Sequence, residues 1–194
     1  MMDVYGSQPS PYVRRIRLLL ADKPYQFHSM DLANPSDRER LRELSPVLKI
    51  PVLVDVGKTI WDSRQIFRYL QQKNLHSALS QQQENLLTTI DGVCDSLVQL
   101  LLVERSGVTL DASNSYRKIN FDRIDRSAEF LDQAVVNGDF KDWNYPSICL
   151  YSLIDWASFR ERYAFKNLAN LWRWYLANGL HPGVEATDPR NTSS

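Results

Sequence analysis

The spacing of apolar residues changes along the chain, and the change divides the chain into two parts. The first part predicts strands interleaved with helices, because segments of period two stand beside apolar repeats of helical spacing. The strand candidates are residues 4–7, 25–29, 50–54 and 59–61, and the helical repeats run through Val13, Ile16, Leu19 and Leu20 and through Ile66, Phe67 and Leu70. Residues 34–44 are polar and are expected to form a loop with a short helix. The predicted order is β-α-β followed by β-β-α.

After Asn74 the pattern is helical throughout. Residues 75–80 are expected to be an irregular linker, and the first helix beyond it carries the stripe Leu86, Ile90, Val93, Leu97 and Leu101. Three further helices are predicted around residues 116–131, after Tyr145-Pro146-Ser147, and around residues 168–175, where Asn178-Gly179 ends the last one. An α/β unit followed by an all-helical unit indicates two domains, residues 1–75 and 81–194.

Composition excludes several classes of protein. The chain has 194 residues, 43% of them hydrophobic and 24% charged, with 23 basic against 23 acidic side chains. This neutral balance shows no excess of basic residues that would favour binding to nucleic acid or to an anionic membrane. Arg14, Arg15 and Arg17 are interpreted as a solvated helix face. No stretch resembles a signal peptide or a continuous apolar membrane span, so no membrane association is expected.

Cysteine and histidine usage argues against a metal centre. Cys94 and Cys149 both lie in apolar helical patterns, where buried inert thiols are the usual interpretation. They form no CxxC pair, and the three histidines are scattered. We therefore expect neither a zinc site nor a dithiol redox motif, and a cytoplasmic location.

Ser10-Pro11-Tyr12 is the first of three motifs that could carry chemistry. Serine is a strong helix N-cap and proline is favoured in the first turn, so a structural cap explains the motif by itself. The same geometry also presents free N–H groups, the positive end of a helix dipole and a hydroxyl that can donate to a thiolate. Taken alone, the motif favours the cap.

Lys49-Ile50-Pro51-Val52-Leu53 is the second motif. Proline cannot donate to a central strand ladder, so Pro51 must start its strand or lie at an irregular edge. A cis Ile50–Pro51 bond would turn the backbone so that Ile50 exposes unpaired N–H and C=O groups. Because only about 5–6% of X–Pro bonds in folded proteins are cis, statistics alone favour trans.

Asp62-Ser63-Arg64-Gln65 is the third motif. An acidic or hydroxyl residue followed by Gln at the third helical position is a capping-box pattern, and capping alone would explain it. The alternative is a second ligand-binding helix start, where N–H groups and the Ser63 hydroxyl hold a carboxylate and Asp62 holds an ammonium group.

Each motif alone is weak, but together and in this order they closely resemble the glutathione transferase family. Two later segments also resemble that family: the apolar helix that ends at residues 155–160, and the closing segment, residues 181–189. The resemblance covers nearly the whole chain and is most specific in the first 70 residues. It implies a thioredoxin-like α/β N-terminal domain that binds glutathione and an all-α C-terminal domain that contributes the electrophile pocket.

The resemblance also implies roles for single residues. Ser10 matches the hydroxyl that activates the thiol in serine-type members, and Ile50 matches the residue before a cis-proline whose backbone pairs with the cysteinyl part of glutathione. Asp62 and Ser63 match the pair that holds the γ-glutamyl end, and Lys49 matches a basic residue that some classes use on the glycyl carboxylate. Candidates for the electrophile pocket are Tyr12, Trp61 and the helix carrying Leu97 to Leu101, although core packing is the ordinary role of such aromatics.

The implied activity is that of a glutathione transferase, with glutathione as co-substrate, a small electrophile as partner and no metal. A non-catalytic binding or scaffold protein is the alternative, as is another glutathione chemistry such as isomerisation, dehalogenation or peroxide reduction. A homodimer is expected from the family resemblance and from the apolar run Leu100, Leu101, Leu102 and Val103, which is too wide for one buried face.

One position departs from the family pattern. The helix after Pro146 usually begins with a Ser/Thr-x-x-Asp capping box, but here Ser147 is followed by Leu150. We expect Ser147 still to cap the helix without the reciprocal carboxylate, at a cost in stability or folding rate. The departure also fits a divergent, non-catalytic member.

Overall fold

A computed structural model describes residues 1–191 as two compact units. The first unit contains residues 1–78 together with the closing segment from Leu180, and the second contains Leu79–Gly179. The domain bounds expected from the sequence therefore differ at the C-terminal end, because residues 180–191 pack with the α/β unit.

The first unit is built on a four-stranded sheet with three helices. The strands within residues 1–191 are β1 (Met2–Gly6), β2 (Tyr25–Ser29), β3 (Val52–Asp55) and β4 (Lys58–Trp61), and the helices of this unit are α1 (Pro11–Leu19), α2 (Pro35–Leu44) and α3 (Ser63–Gln72). The sheet order is β2-β1-β3-β4, with β1 and β2 parallel and the other neighbours antiparallel. The predicted β-α-β and β-β-α arrangement is confirmed.

Successive side chains along a strand point to opposite faces of the sheet, and each face packs against its own hydrophobic core. Val4 and Leu53 face each other across β1 and β3 and are both fully buried, in the core that α1 and α3 complete. Their neighbour Val52 packs on the other face with Met30 and with Leu41 of α2. α2 spans ten residues, longer than the short helix expected, because Asn34 caps it and Pro35 occupies its first position.

The buried arginines of α1 correct the interpretation of a solvated helix face. Arg14 is 3% exposed and Arg15 is 1% exposed. Arg14 donates from Nε to Thr187 Oγ1 at 3.2 Å and from Nη2 to the Val184 carbonyl at 3.0 Å. The closing segment covers α1, and a contact between residues so distant in sequence leaves no trace in the local pattern of α1.

The second unit contains four α-helices and a short 3-10 helix, Phe165–Asn167. The α-helices are α4 (Gln81–Arg105), α5 (Ser115–Val136), α6 (Tyr145–Phe159) and α7 (Ala169–Ala177). All five residues of the predicted α4 stripe are buried, and α6 is buried along almost its whole length. Of the apolar run at the end of α4, Leu101 is buried whereas Leu102 is 52% exposed.

α4 is also long and apolar enough to cross a membrane, judged by length and composition alone. It is the one helix within residues 1–191 that passes this test, which a core helix of a soluble protein passes as well.

The cap of α6 differs from the expectation that Ser147 would provide it. Asn144 is the N-cap, and its side chain accepts from the Ser147 N–H at 3.3 Å. Ser147 lies inside the first turn and donates its hydroxyl to the Asp142 carbonyl at 2.6 Å. The helix starts one turn earlier than the motif suggested, because Asn is as good a cap as Ser and Pro146 is favoured in the first turn.

Candidate functional site

Strand register brings the three motifs to one end of the sheet. Tyr5 of β1 pairs with Val52 of β3, and Val52 pairs with Trp61 of β4. The last residues of β1, the first residue of β3 and the last residue of β4 therefore lie side by side. The chain leaves β1 toward Ser10, enters β3 from Ile50–Pro51, and leaves β4 into Asp62, so all three motifs stand at this edge.

Ser10 caps α1 in the way that the sequence predicts. Its backbone is extended, and its Oγ accepts from the Val13 N–H at 3.3 Å. A hydroxyl carries one proton besides its acceptor lone pairs. Within residues 1–191 that proton has no acceptor, so capping and donation to a ligand are compatible in the same side chain.

The close approach of β1 to α1 depends on Gly6. A Cβ atom at this position would lie 2.4 Å from a methyl carbon of Val13, a buried residue in the first turn of α1. Glycine therefore lets the end of the strand pack directly on the helix start. This requirement fixes where Ser10 stands relative to the sheet.

The Ile50–Pro51 peptide bond is cis. Statistics alone favoured trans, so this is a correction, and it agrees with the alternative that the resemblance implied. Pro51 is buried, Ile50 is partly buried, and Ile50 packs against the cluster of Met30, Leu41 and Val52. The proline starts its strand from just outside β3, where no ladder hydrogen bond is lost.

Asp62 caps α3 from a strained backbone position. Its φ is +77°, in a region that favours glycine, and its Oδ1 accepts from the N–H groups of Arg64 at 2.9 Å and Gln65 at 3.2 Å. Within the described residues Oδ2 makes no hydrogen bond. Strain of this kind costs about 1–3 kcal/mol and is often found at ligand sites. Ser63 beside it is buried.

The other predicted site residues occupy more open positions. Lys49 is exposed in the loop before β3, and Trp61 is 37% exposed at the end of β4. Tyr12 is partly buried in the first turn of α1, with the Arg15 guanidinium 5.0 Å from its ring centre. Tyr12 and Trp61 thus flank the same edge of the sheet as the three motifs.

An aromatic pair near this edge escaped the sequence analysis. The rings of Tyr5 and His28 stack with centres 4.4 Å apart, and His28 Nε2 lies 2.8 Å from Asp3 Oδ1. The two residues face each other in the parallel register of β1 and β2. Both residues lie in predicted strands, but their contact depends on the pairing and register of those strands, which the sequence pattern does not give.

No group of three or more His, Cys, Asp or Glu residues that could hold a metal ion occurs within residues 1–191. Cys94 and Cys149 are both buried, and neither forms a disulfide within residues 1–191.

The fold and this edge define a protein with the architecture of a glutathione transferase: a thioredoxin-like unit followed by an all-helical one. Residues 4–76 match the model of the glutathione S-transferase N-terminal domain. The chain is 26% identical over 169 residues to the uncharacterized GST-like protein YibF of Escherichia coli K12, covering 82% of this chain and 84% of that protein. It is 46% identical over 72 residues to glutathione S-transferase U9 of Arabidopsis thaliana, a match that spans only 29% of that protein.

A solved structure agrees with these matches. The crystal structure of a glutathione S-transferase from Methylobacillus flagellatus KT with glutathione bound has a TM-score of 0.83 at 22% identity, covering 97% of this chain and 100% of that chain. This likeness shows the fold. The sequence matches add that residues 4–76 are similar to a glutathione S-transferase N-terminal domain.

Proposed function

We propose that this protein is a glutathione transferase that binds glutathione at the described edge of the sheet and activates its thiol as a thiolate. The observation that carries the proposal is the convergence of a cis-proline strand start with two capped helix starts in one unit. The bound glutathione in the Methylobacillus structure supports the choice of ligand.

Each part of the edge suits a different part of glutathione. Asp62 Oδ2 is available for the ammonium group of the γ-glutamyl end, and the backbone of Ile50 for the cysteinyl part. Lys49 is exposed and can reach a glycyl carboxylate. Ser10 stands at the positive end of the α1 dipole, with its hydroxyl proton available for the sulfur.

The interactions available from Ser10 and α1 are strong enough to favour the thiolate form of bound glutathione. A free thiol has a pKa of about 8.5, and lowering it by one unit requires about 1.4 kcal/mol of preference for the thiolate. A hydrogen bond to a charged group contributes roughly 1.5–3 kcal/mol, and a helix dipole about 0.3–1 kcal/mol. Ser10 together with α1 therefore accounts for a decrease of roughly one to two pH units.

The thiolate then attacks an apolar electrophile. Tyr12 and Trp61 provide aromatic surface in the α/β unit. The helical unit by itself holds a cavity of about 370 Å³. Its lining is half apolar (Leu97, Leu100, Val108, Leu110 and Phe121) and half polar or charged (Glu104, Thr109, Arg117, Glu161 and Arg162). This cavity adjoins the stretch of α4 that the sequence analysis assigned to the electrophile, and its volume suits a small ligand.

Calorimetry with glutathione tests the binding half of the proposal. Asp62→Ala combined with Ser63→Ala is expected to weaken binding strongly. Asp62→Asn keeps an oxygen for the N–H groups of Arg64 and Gln65 but removes the charge, so it separates ammonium binding from capping. Asn34→Ala removes a helix cap elsewhere in the same unit and is the control for general destabilisation. Unchanged glutathione affinity in the double variant would refute the assignment.

Turnover is tested separately from binding. Retention on a glutathione column followed by conjugation assays with a panel of electrophiles, aryl halides and epoxides among them, distinguishes a transferase from a binding protein. Product formation above the uncatalysed rate supports the proposal. Tight glutathione binding without turnover of any electrophile would instead identify a non-catalytic member of the family.

A further inference from the structure

The C-terminal ends of α4 and α6 share one type of turn. In both, an N–H two residues beyond the cap returns to a carbonyl of the last turn: Val108 to Val103 at 3.3 Å, and Arg162 to Ala157 at 2.8 Å. α4 uses Gly107 at the left-handed position of this turn, whereas α6 uses Glu161, with φ +53°. A cavity of about 280 Å³ lies between the two helix ends.

Three arginines line this cavity. Its lining residues are Leu101, Glu104, Arg105, Phe159, Arg160, Glu161 and Arg162. Arg162 forms an ion pair with Glu104, a contact between the two helix ends. Within residues 1–191, Arg105 and Arg160 form no ion pair. The cavity therefore has two basic side chains without an acidic partner, and Glu161 is the one further carboxylate in its lining.

The positive charge here is only partly hydrated. The Nε atoms of Arg160 and Arg162 are shielded from solvent and have no hydrogen-bond partner in the described residues. Burial, together with repulsion by Arg105 and Arg162, lowers the pKa of Arg160 below its ordinary value. Shielding a cation from water without giving it a hydrogen-bond partner lowers the stability of the protein. An anion bound in the cavity would restore part of that stability.

The remaining wall of the cavity is apolar. Leu101 is 6% exposed, and the Arg160 guanidinium lies 4.6 Å from the centre of the Phe159 ring. A planar ligand can pack beside this ring and present an anionic group to the arginines. The volume falls just below the range of about 300–1,000 Å³ typical of drug-sized ligands, which favours a single-ring compound.

We propose that this cavity binds a small aromatic carboxylate. The carboxylate is held by Arg105 and Arg160, with Arg162 kept in place by Glu104, and the ring lies against Leu101 and Phe159. Guanidinium groups match carboxylate oxygens in a two-bond arrangement, so charge and shape both select this chemistry. The proposal concerns the helical unit alone and goes beyond the proposed transferase activity, since it requires neither glutathione nor turnover.

The competing explanation is structural. Arginines near helix C-termini offset the negative end of the dipole, and in that role their loss lowers stability. A ligand site makes the opposite prediction for the free protein, since removing one of three crowded cations relieves repulsion. The melting temperature of the ligand-free protein therefore separates the two explanations.

Fluorine NMR of 4-fluorobenzoate and 4-fluorobenzamide in one sample tests the proposal directly. The two probes share their shape and differ in charge. We expect line broadening of the benzoate alone, weakened by added salt, and at least a tenfold loss of affinity in Arg105→Gln and in Arg160→Gln. Arg126→Gln, an exposed arginine of α5 outside the cavity, is the control and should bind as the wild type does.

Several results would overturn the proposal. Equal broadening of both probes would remove the role of charge, and displacement of the benzoate by an equal concentration of inorganic phosphate would remove the role of the ring. Full affinity in Arg160→Gln would place the ligand elsewhere, and a lower melting temperature of ligand-free Arg160→Gln would favour the structural explanation. Glutathione binding and conjugation are measured independently, so failure here leaves the transferase proposal intact.

Discussion

At the scale of single residues, Ser10 has an observed role as a cap and a proposed role as a donor to the thiolate, and one substitution can separate them. As a cap it accepts from Val13, and its loss should cost about 0.5–2 kcal/mol of stability. As a donor to the thiolate it should lower the pKa of bound glutathione. We predict that Ser10→Ala raises this pKa by roughly one to two pH units, measured by titrating the thiolate absorbance of the complex.

The control for this prediction is Asn34→Ala, which removes the cap of α2 with a similar loss of stability. It should leave the thiolate titration unchanged. Glutathione affinity of Ser10→Ala at low pH, where the thiol is protonated, should also remain close to that of the wild type. Coinciding titration curves for Ser10→Ala and wild type would reduce Ser10 to a cap, and backbone N–H groups or Tyr5 and Tyr12 would become the candidates.

Asp55 shows how a buried charge supports α3, the helix that begins with Ser63. It is 3% exposed at the end of β3, where it accepts from Tyr69 Oη at 2.8 Å and pairs with Lys73, both at the far end of α3. Burial raises the pKa of this carboxyl, but the hydrogen bonds from Lys73 and Tyr69 more than offset that effect and hold the pKa below its ordinary value. The ionised form is therefore the one that stabilises the fold.

The pH dependence of Asp55→Asn follows from this direction. A carboxyl whose pKa is lower in the folded state contributes fully above its unfolded pKa of about 3.9, and the contribution is lost as the pH falls toward the folded value. We predict that Asp55→Asn loses about 1–3 kcal/mol at pH 7 and that its difference from wild type shrinks below pH 4. Urea unfolding over this range measures the effect. Tyr69→Phe should show part of it, and a difference independent of pH would contradict the assignment.

At the scale of elements, the closing segment fastens α1. Thr187 is 2% exposed, accepts from Arg14 Nε at 3.2 Å, and donates to the Gly183 carbonyl at 2.7 Å. Gly183 has φ +83°, and a Cβ there would lie 2.7 Å from the Ala21 Cβ, so the segment lies directly on the end of α1. The residues that position the N-terminal helix of the site thus come from the other end of the sequence.

We predict that Thr187→Val destabilises the protein by about 1–3 kcal/mol, because a buried guanidinium loses an acceptor while side-chain volume is nearly conserved. The midpoint of urea unfolding should fall with an unchanged slope. Thr88→Val is the matched control, since Thr88 is exposed on α4 and bonds only to its own helix through Glu84. An equal effect of the two substitutions would show that the contact with Arg14 carries no stability.

The helices and strands were predictable from the sequence because the spacing of apolar residues and the capping and turn residues are local signals. The cap at Ser10 and the stripe of α4 are encoded within a few residues of where they act. Three features were not predictable from local patterns: the burial of Arg14 and Arg15, the cap of α6 by Asn144 in place of Ser147, and the φ of Asp62. The first depends on packing between distant segments, the second on a choice between two equally good caps, and the third on how β4 enters α3.

The candidate site was predictable in its parts but not in its assembly. Each motif alone is explained by capping or by strand geometry, and the order of the three motifs is what pointed to glutathione. The convergence itself follows from the register of β1, β3 and β4, which no local pattern fixes. Register depends on which strands pair, and β1 and β3 are separated by more than forty residues of chain.

At the scale of the whole molecule, the exposed part of α4 leads us to expect a homodimer. Leu102 is 52% exposed although it belongs to a continuous apolar run, and Phe130 and Val136 on α5 are 53% and 57% exposed. α4 and α5 pack on each other, so these side chains belong to one pair of helices. Exposed apolar side chains on a helix pair are typical of an interface between copies of a chain.

We predict that sedimentation equilibrium at micromolar concentration gives twice the chain mass of 22.5 kDa. Leu102→Glu should shift the protein toward monomer, because a carboxylate would have to be desolvated at the interface. Leu180→Glu introduces the same charge at a side chain that is 97% exposed outside these helices, and it should leave the mass unchanged. Circular dichroism of Leu102→Glu should retain the helical signal, since the side chain is not part of the core. A wild-type protein that sediments as a monomer would refute the dimer, and a dimeric Leu102→Glu would move the interface away from the end of α4.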